Sequence, residues 1–196
     1  MMYQRLHYDI RLPSVRYNHQ QASIAAVCAN LFGTLPPDVV EVIDISPLGW
    51  KRAVRQHAVF FRREFEYDFT QYDPADEDPD CRAFVWTEPE ALRDDRYIAL
   101  GSACFRKRWL DEDADDGEWW WAMQWVWLHP FVRRDGLLSG TWGYFRNRFG
   151  QFKLEQPLSQ AMDAFAAKTK HYEITATALD HDCVWRDLCA AGVRGA

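Results

Sequence analysis

The sequence predicts an α/β domain of the α+β kind, with a mixed, largely antiparallel central sheet flanked by helices. Three observations lead there. Strand-like segments cluster ahead of most of the helical ones. One of them, residues 119–128, is apolar on both faces: Trp119, Trp121, Met123, Trp125 and Trp127 alternate with Trp120, Ala122, Val126 and Leu128, and Gln124 is the one polar interruption. Such a strand belongs at the centre of a sheet covered on both sides. After Pro130 the period changes from two to 3.6, and Leu138, Trp142, Phe145 and Phe149 form a helical stripe.

Each element follows from its own signals. Residues 18 or 19 to 31 read as a helix stopped by Gly33 and the Pro36-Pro37 break. The β-branched run 39–45 reads as a buried strand. Ser46 then caps a helix with Pro47 in its first turn, and Val54, Ala58, Phe61 and Phe65 form its apolar stripe. The acidic stretch 68–80, with Pro74 and Pro79, is a surface loop. Residues 81–87 form a strand, and 97–128 a hairpin turning at 111–117. The helix after Pro130 ends at Gly150. A short strand at 152–155 follows, and a helix from Pro157-Leu158-Ser159 through Lys168. Residues 172–177 and 181–191 are a further strand and a short helix.

Composition limits what the chain can be. Its 196 residues suit a single domain, with 1–38 an N-terminal extension that matches no pattern. Hydrophobic residues make up 48% and charged ones 27%, the balance of a soluble globular protein. The ten Trp supply apolar area enough for a stable core, and enough to leave room for a homodimer interface. Five cysteines, at 28, 81, 104, 183 and 189, include no CxxC pair, so reduced thiols in the cytoplasm are expected. The start has no apolar signal core, and the run 119–128 is half the roughly 20 residues of a membrane helix, so neither export nor a membrane partner is expected. His181, Cys183 and Cys189 fit no zinc spacing, and no metal is expected. A net charge of −6 disfavours nucleic acid. The aromatic and basic stretch 141–149 superficially resembles the strand of an RNA-recognition motif, but the helical stripe accounts for the same residues.

Residues 125–138 carry the most chemistry. A buried strand breaks at Pro130, crosses the basic turn Arg133-Arg134-Asp135-Gly136, and enters an amphipathic helix at Leu137-Leu138. A helix start offers free backbone N–H groups and the positive end of the dipole, which suits an anion. Gly136 lets a phosphate approach the backbone, and Arg133 and Arg134 add charge where a pyrophosphate would lie. Gly136, Gly140 and Gly143 share one helix face, which implies that a strand or a ligand packs close to it.

Leu128-His129-Pro130-x-x-Arg133-Arg134-x-Gly136-Leu137-Leu138 resembles the acyl-CoA loop of the GNAT superfamily of N-acetyltransferases. The pattern there is strand, [Gln/Arg]-x-x-Gly-x-[Gly/Ala], helix. Residues 152–155 are similar to that family's next strand and 158–168 to the helix after it. The hairpin 97–128 fits the two long strands that lead into the loop. Within the superfamily, 149–166 is similar to the cohesion-establishment acetyltransferases. The resemblance spans roughly residues 97–168 of the chain.

It implies an acyltransferase that takes acetyl-CoA as donor and a small-molecule or protein amine as acceptor, by direct attack on the thioester. The cofactor would be seated by Val126, Trp127, Leu128, Arg133, Arg134, Asp135, Gly136, Leu137, Leu138 and Gly140. Leu138 stands where the family prefers Gly or Ala, so the pyrophosphate sits differently or Gly140 provides the room. A backbone N–H near 126–128 would hold the oxyanion. An amine needs a base to take its proton: Glu118, Gln124 through a water, or Glu155, which is favoured for lying beside the cofactor loop and just before Ser159. The family's thiolate-protonating Tyr has no clear counterpart, which leaves Ser159, Tyr144 and Tyr172 as hydroxyl donors. The second reading is a non-catalytic CoA-binding or protein-interaction module on the same fold.

Overall fold

The structure is a computed structural model and describes residues 12–17, 22, 35–36, 38–75, 78–89, 96–109 and 119–171. Its strands are β1 (Ser14–Arg16), β2 (Val39–Val42), β3 (Cys81–Pro89), β4 (Arg96–Trp109), β5 (Trp119–Leu128) and β6 (Lys153–Leu154). Its helices are α1 (Leu48–Phe65), α2 (Leu137–Phe149) and α3 (Gln160–Thr169). The strands form one sheet in the order β2-β3-β4-β5-β6, and β1 extends it by pairing with the start of β4. Every pairing is antiparallel except β5 with β6. This is the mixed, largely antiparallel sheet with flanking helices that the patterning predicts.

Two cores hold the layers together. On one face α1 lays Trp50, Ala53, Val54, Ala58 and Phe61 against Val42, Val85, Cys104, Trp125 and Trp127. On the other, Trp142, Phe145 and Phe149 of α2 and Met162 and Ala166 of α3 cover Phe84, Phe105, Met123 and Leu154. The predicted stripe of α2 is therefore the buried one, although Leu138 at its start is only partly covered. Phe105 lies at its centre, ringed by Phe84, Phe145, Phe149 and Phe152 at centroid distances of 4.3–5.7 Å.

The structure corrects three expectations and bears out the helical reading of residues 141–149. Along β5, Cys104 pairs with Trp125 and Phe105 with Met123, so Gln124 is an extra residue, a β-bulge. The bulge inverts the alternation. Trp121 and Met123 face α2, but Trp125 and Trp127 face α1, leaving Val126 and Leu128 on the α2 side. Ser46 does not cap α1; its hydroxyl accepts from the Ile43 N–H at 2.9 Å and closes the turn before the helix. Residues 141–149 are helical, which removes the RNA-recognition strand. Among the described residues nothing lies within 4 Å of a Cβ at Gly140 or Gly143, so no described strand packs against them.

A close approach that the sequence does not announce sits at Gly101 of β4. A Cβ there would stand 2.4 Å from the Trp127 carbonyl oxygen and 2.8 Å from the Leu128 Cα. Only glycine lets the two long strands come together at the end that feeds the basic turn. Nearby, His57 of α1 is buried and stacks on Trp127 with ring centroids 5.3 Å apart. Its Nδ1 lies 2.7 Å from Ser102 Oγ and its Nε2 3.2 Å from the Ala99 carbonyl. Burial drives its pKa down to about 3, with the Ala99 carbonyl opposing and His129 assisting. The sequence-predicted elements at 111–117, 172–177 and 181–191 lie outside the described residues, as does 18–31 apart from Ala22.

Candidate functional site

β5 and β6 run parallel but pair only at Ala122–Lys153 and Met123–Leu154, after which the Glu155 N–H donates to the Met123 carbonyl at 3.0 Å. Beyond that point no described strand covers the β6-side edge of β5. The His129 N–H donates to Leu100 O at 2.9 Å, and counting back by twos turns the backbone groups of Trp127 and Trp125 to β4. Those of Val126 and Leu128 therefore point to the open edge.

A cleft fills the gap, with about 640 Å³ of empty space in part open to solvent. Its floor is the bulged stretch from Met123 to Val126. One wall is the end of α1 with Phe61, Phe65 and Tyr67; the other is Leu154, Glu155 and the run from Pro157 to Ser159, with Met162. The peptide between Gln156 and Pro157 is cis. The lining is mostly apolar with a few polar groups converging, the usual make-up of a small-molecule site.

Those polar groups are specific. One Glu155 carboxylate oxygen takes a hydrogen bond from Arg108 at 2.5 Å. The other is buried and has no hydrogen-bond partner among the described residues. Tyr67 donates to the Pro157 carbonyl at 3.0 Å, and burial followed by the nearby Glu155 charge raises its pKa. Ser159 caps α3 by accepting from the Met162 N–H at 3.2 Å, which leaves its own hydroxyl proton available. Gln124 is buried at the bulge, with its Oε1 3.9 Å from Cys104 Sγ.

The basic turn lies at the other end of the open edge. His129 starts a single 3-10 turn, Pro130–Val132. Arg134 and Gly136 then adopt left-handed backbone, with φ of 74° and 87°, and Gly136 caps α2. Arg133 folds back onto the end of α1. Its two terminal nitrogens grip the Glu64 carboxylate at 2.6 Å each, and its Nε donates to the Leu128 carbonyl at 2.8 Å. Glu64 also accepts from the Trp127 indole at 2.9 Å. Arg133 is thus a clamp between α1 and the turn, with its charge matched inside the fold. Arg134 and Asp135 are exposed.

The chain matches no family profile and no curated protein. Among solved structures it is similar to the xEco2 acetyltransferase domain, at 11% identity over 69% of this chain and 87% of that one, with a TM-score of 0.48. The same domain bound to a CoA conjugate aligns at 14% identity over 69% and 89%, with a TM-score of 0.43. An acetyltransferase from Vibrio fischeri aligns at 13% identity over 71% and 91%, with a TM-score of 0.36. These scores lie below 0.5, and the fold rests on its own strand order and register.

The sequence-named residues thus divide. Val126, Glu155 and Ser159 line the cleft, with Gln124 beside them. Leu128, Arg133, Arg134, Asp135, Gly136, Leu137, Leu138 and Gly140 form the strand end, turn and helix start beyond it. Trp127 is turned to α1, and Tyr144 is buried against Phe84 and Phe145, away from the cleft. Glu118 and Tyr172 lie outside the described residues. Sequence reasoning missed Tyr67 and Arg108. Tyr67 follows the Phe61 and Phe65 stripe by one half-turn, which was the available signal. Among the described residues no three His, Cys, Asp or Glu side chains cluster as metal ligands.

Proposed function

We propose that this chain binds acetyl-CoA along the open edge of β5 and transfers the acetyl group to an amine in the cleft between β5 and β6. The observation that carries the reading is the strand pair that parts after two residues. The parting leaves Val126 backbone groups free at the mouth of a cleft that holds an unpartnered carboxylate oxygen. The N-terminus of α2, capped by left-handed Gly136, is suited to the pyrophosphate, and Arg134 is the exposed charge beside it.

In this reading the unpartnered Glu155 oxygen accepts a proton from the ammonium of the acceptor, so that the neutral amine attacks. Arg108 keeps the carboxylate oriented. The Val126 N–H donates to the carbonyl oxygen as it gains charge. The C–S bond then breaks as Ser159, or Tyr67 on the facing wall, supplies a proton to the departing sulfur, and the proton that the newly bonded nitrogen sheds restores that hydroxyl.

Titration of the protein with acetyl-CoA tests the binding step, with a micromolar Kd expected, about −8 kcal/mol. Glu155→Gln should keep that affinity while CoA release in the presence of amines falls about 10²–10⁴-fold. Absence of both heat and thermal stabilisation at millimolar acetyl-CoA would sink the proposal. Binding without CoA release from any amine would make the chain a CoA-binding module.

A further inference from the structure

Cys81 opens β3 and Cys104 lies in the middle of β4. The register sets Cys81 opposite Arg106 and Cys104 opposite Ala83, which makes the cysteines diagonal neighbours, both packed in the core on the α1 side. Their sulfurs are 3.5 Å apart and both thiols are free. Arg106, partly buried beside them, is anchored to the Asp78 carboxylate at 3.2 Å. Packing alone does not require two thiols in contact, since alanine or valine would fill such positions.

The surroundings make the two sulfurs unequal. The hydrogen bond from Cys104, helped by the Arg106 charge, lowers the pKa of Cys81 against the opposing effect of burial. Donating that bond, together with burial, raises Cys104 well above an ordinary thiol. Cys81 is also the reachable one, because it lines a small pocket with Asp44, Tyr72, Asp73, Asp78 and Arg106. That pocket is narrow, with room at its inner end for about one water-sized molecule, and opens to solvent. A nucleophilic sulfur beside a cation, a second thiol in contact, and a narrow entry together describe a site for a small oxidant.

We propose that Cys81 and Cys104 form a peroxide-reactive dithiol that closes reversibly to a disulfide. Cys81, as thiolate, attacks one oxygen of hydrogen peroxide. The S–O bond forms, the O–O bond breaks, and the departing hydroxide takes up the proton that Cys81 lost, giving water. Cys104 then attacks the sulfenic sulfur: the S–S bond forms, the S–O bond breaks, and the second oxygen leaves as water with the Cys104 proton. The two thiols give up two electrons and one peroxide becomes two waters. Diagonal partners have backbones about 7–8 Å apart, so closing the bond draws the start of β3 toward β4, and the strained disulfide that results is readily reopened by a thiol reductant.

Peroxide treatment of the full chain, followed by alkylation and non-reducing peptide mass mapping, tests this. The expected product is a peptide pair joining Cys81 to Cys104, two hydrogens lighter than the reduced pair and restored by dithiothreitol. Cys81→Ser should abolish the link and leave Cys104 alkylatable. Cys104→Ser should stop Cys81 at a sulfenic acid that dimedone traps. The proposal is overturned if both cysteines stay alkylatable while Cys28, Cys183 or Cys189 is oxidised, or if Cys81 links to one of those three.

Discussion

The two edges of β5 have opposite fates. Its β4 edge is paired from Trp119 to Leu128, while its β6 edge is paired at Ala122 and Met123 and then released. The closed edge is supported by Gly101, by His57 against Ala99 and Ser102, and by the aromatic core behind it. The open edge has the bulge at Gln124, the cleft and the basic turn. Backbone polar groups ordinarily find partners inside a fold, so an edge that no described strand covers beside an apolar cleft is a place where another molecule could supply them. The closed edge stabilises the fold, and the open edge is where the proposed chemistry would take place.

The largest effect belongs to the closed edge. Gly101→Val should destabilise the protein by about 3 kcal/mol or more, because the added carbons meet backbone of β5 that cannot step aside. Urea unfolding measures it, and a change under 1 kcal/mol would mean that the edge is not closed at this point.

His57 probes the same edge through pH. Its folded pKa near 3 lies below the unfolded value near 6.5, so the unfolded chain binds the proton first. The contribution is complete above pH 6.5 and is lost as pH falls toward 3, at up to about 1.4 kcal/mol per pH unit. Unfolding curves at pH 7 and pH 5 should show that slope in the native chain and a shallower one in His57→Gln. Equal slopes would place the titration elsewhere.

On the open edge, Arg133→Gln separates clamp from ligand. Loss of the partly exposed pair with Glu64 should cost about 1–2 kcal/mol, which lowers Tm by a few degrees. Reduced acetyl-CoA affinity at unchanged Tm would instead return Arg133 to the cofactor. The smallest effect is expected at Gly140, which sits in a helix with nothing within 4 Å. Gly140→Ala should raise stability by about 0.8–1 kcal/mol. If acetyl-CoA affinity drops at the same time, the open face of α2 is where the cofactor lies; if it does not, Gly140 has no part in binding.

What was legible in the sequence was whatever has a period. The near-apolar run 119–128 identified a strand covered on both faces, the Leu138 to Phe149 stripe a helix, and the order of elements the sheet class. The basic turn could be read because glycine and charge punctuate it. Contacts between distant segments could not be read. Glu64 lies 69 residues from Arg133, and nothing local to either announces the pair. Gly101 breaks no alternation, so the approach it permits is invisible without β5. Tyr144 has the right chemistry and the wrong side of the helix, which spacing alone does not resolve at a boundary between core and cleft. Glu155 and Ser159 both line the cleft because they follow one short strand closely, and that adjacency survives folding.

The bulge acts on β5 as a one-letter insertion acts on a reading frame. Upstream of Gln124, odd-numbered side chains address α2; downstream, they address α1. Trp125 and Trp127 are in place only because the frame has shifted, and with them the Glu64 carboxylate that holds Arg133. Strict alternation through Gln124, without the bulge, would turn both indoles toward α2; deleting Gln124 would leave a regular strand with both indoles still on the α1 side. The polar letter that looks like a blemish in an apolar strand is therefore the punctuation that lets the two halves of the strand be read by two different helices.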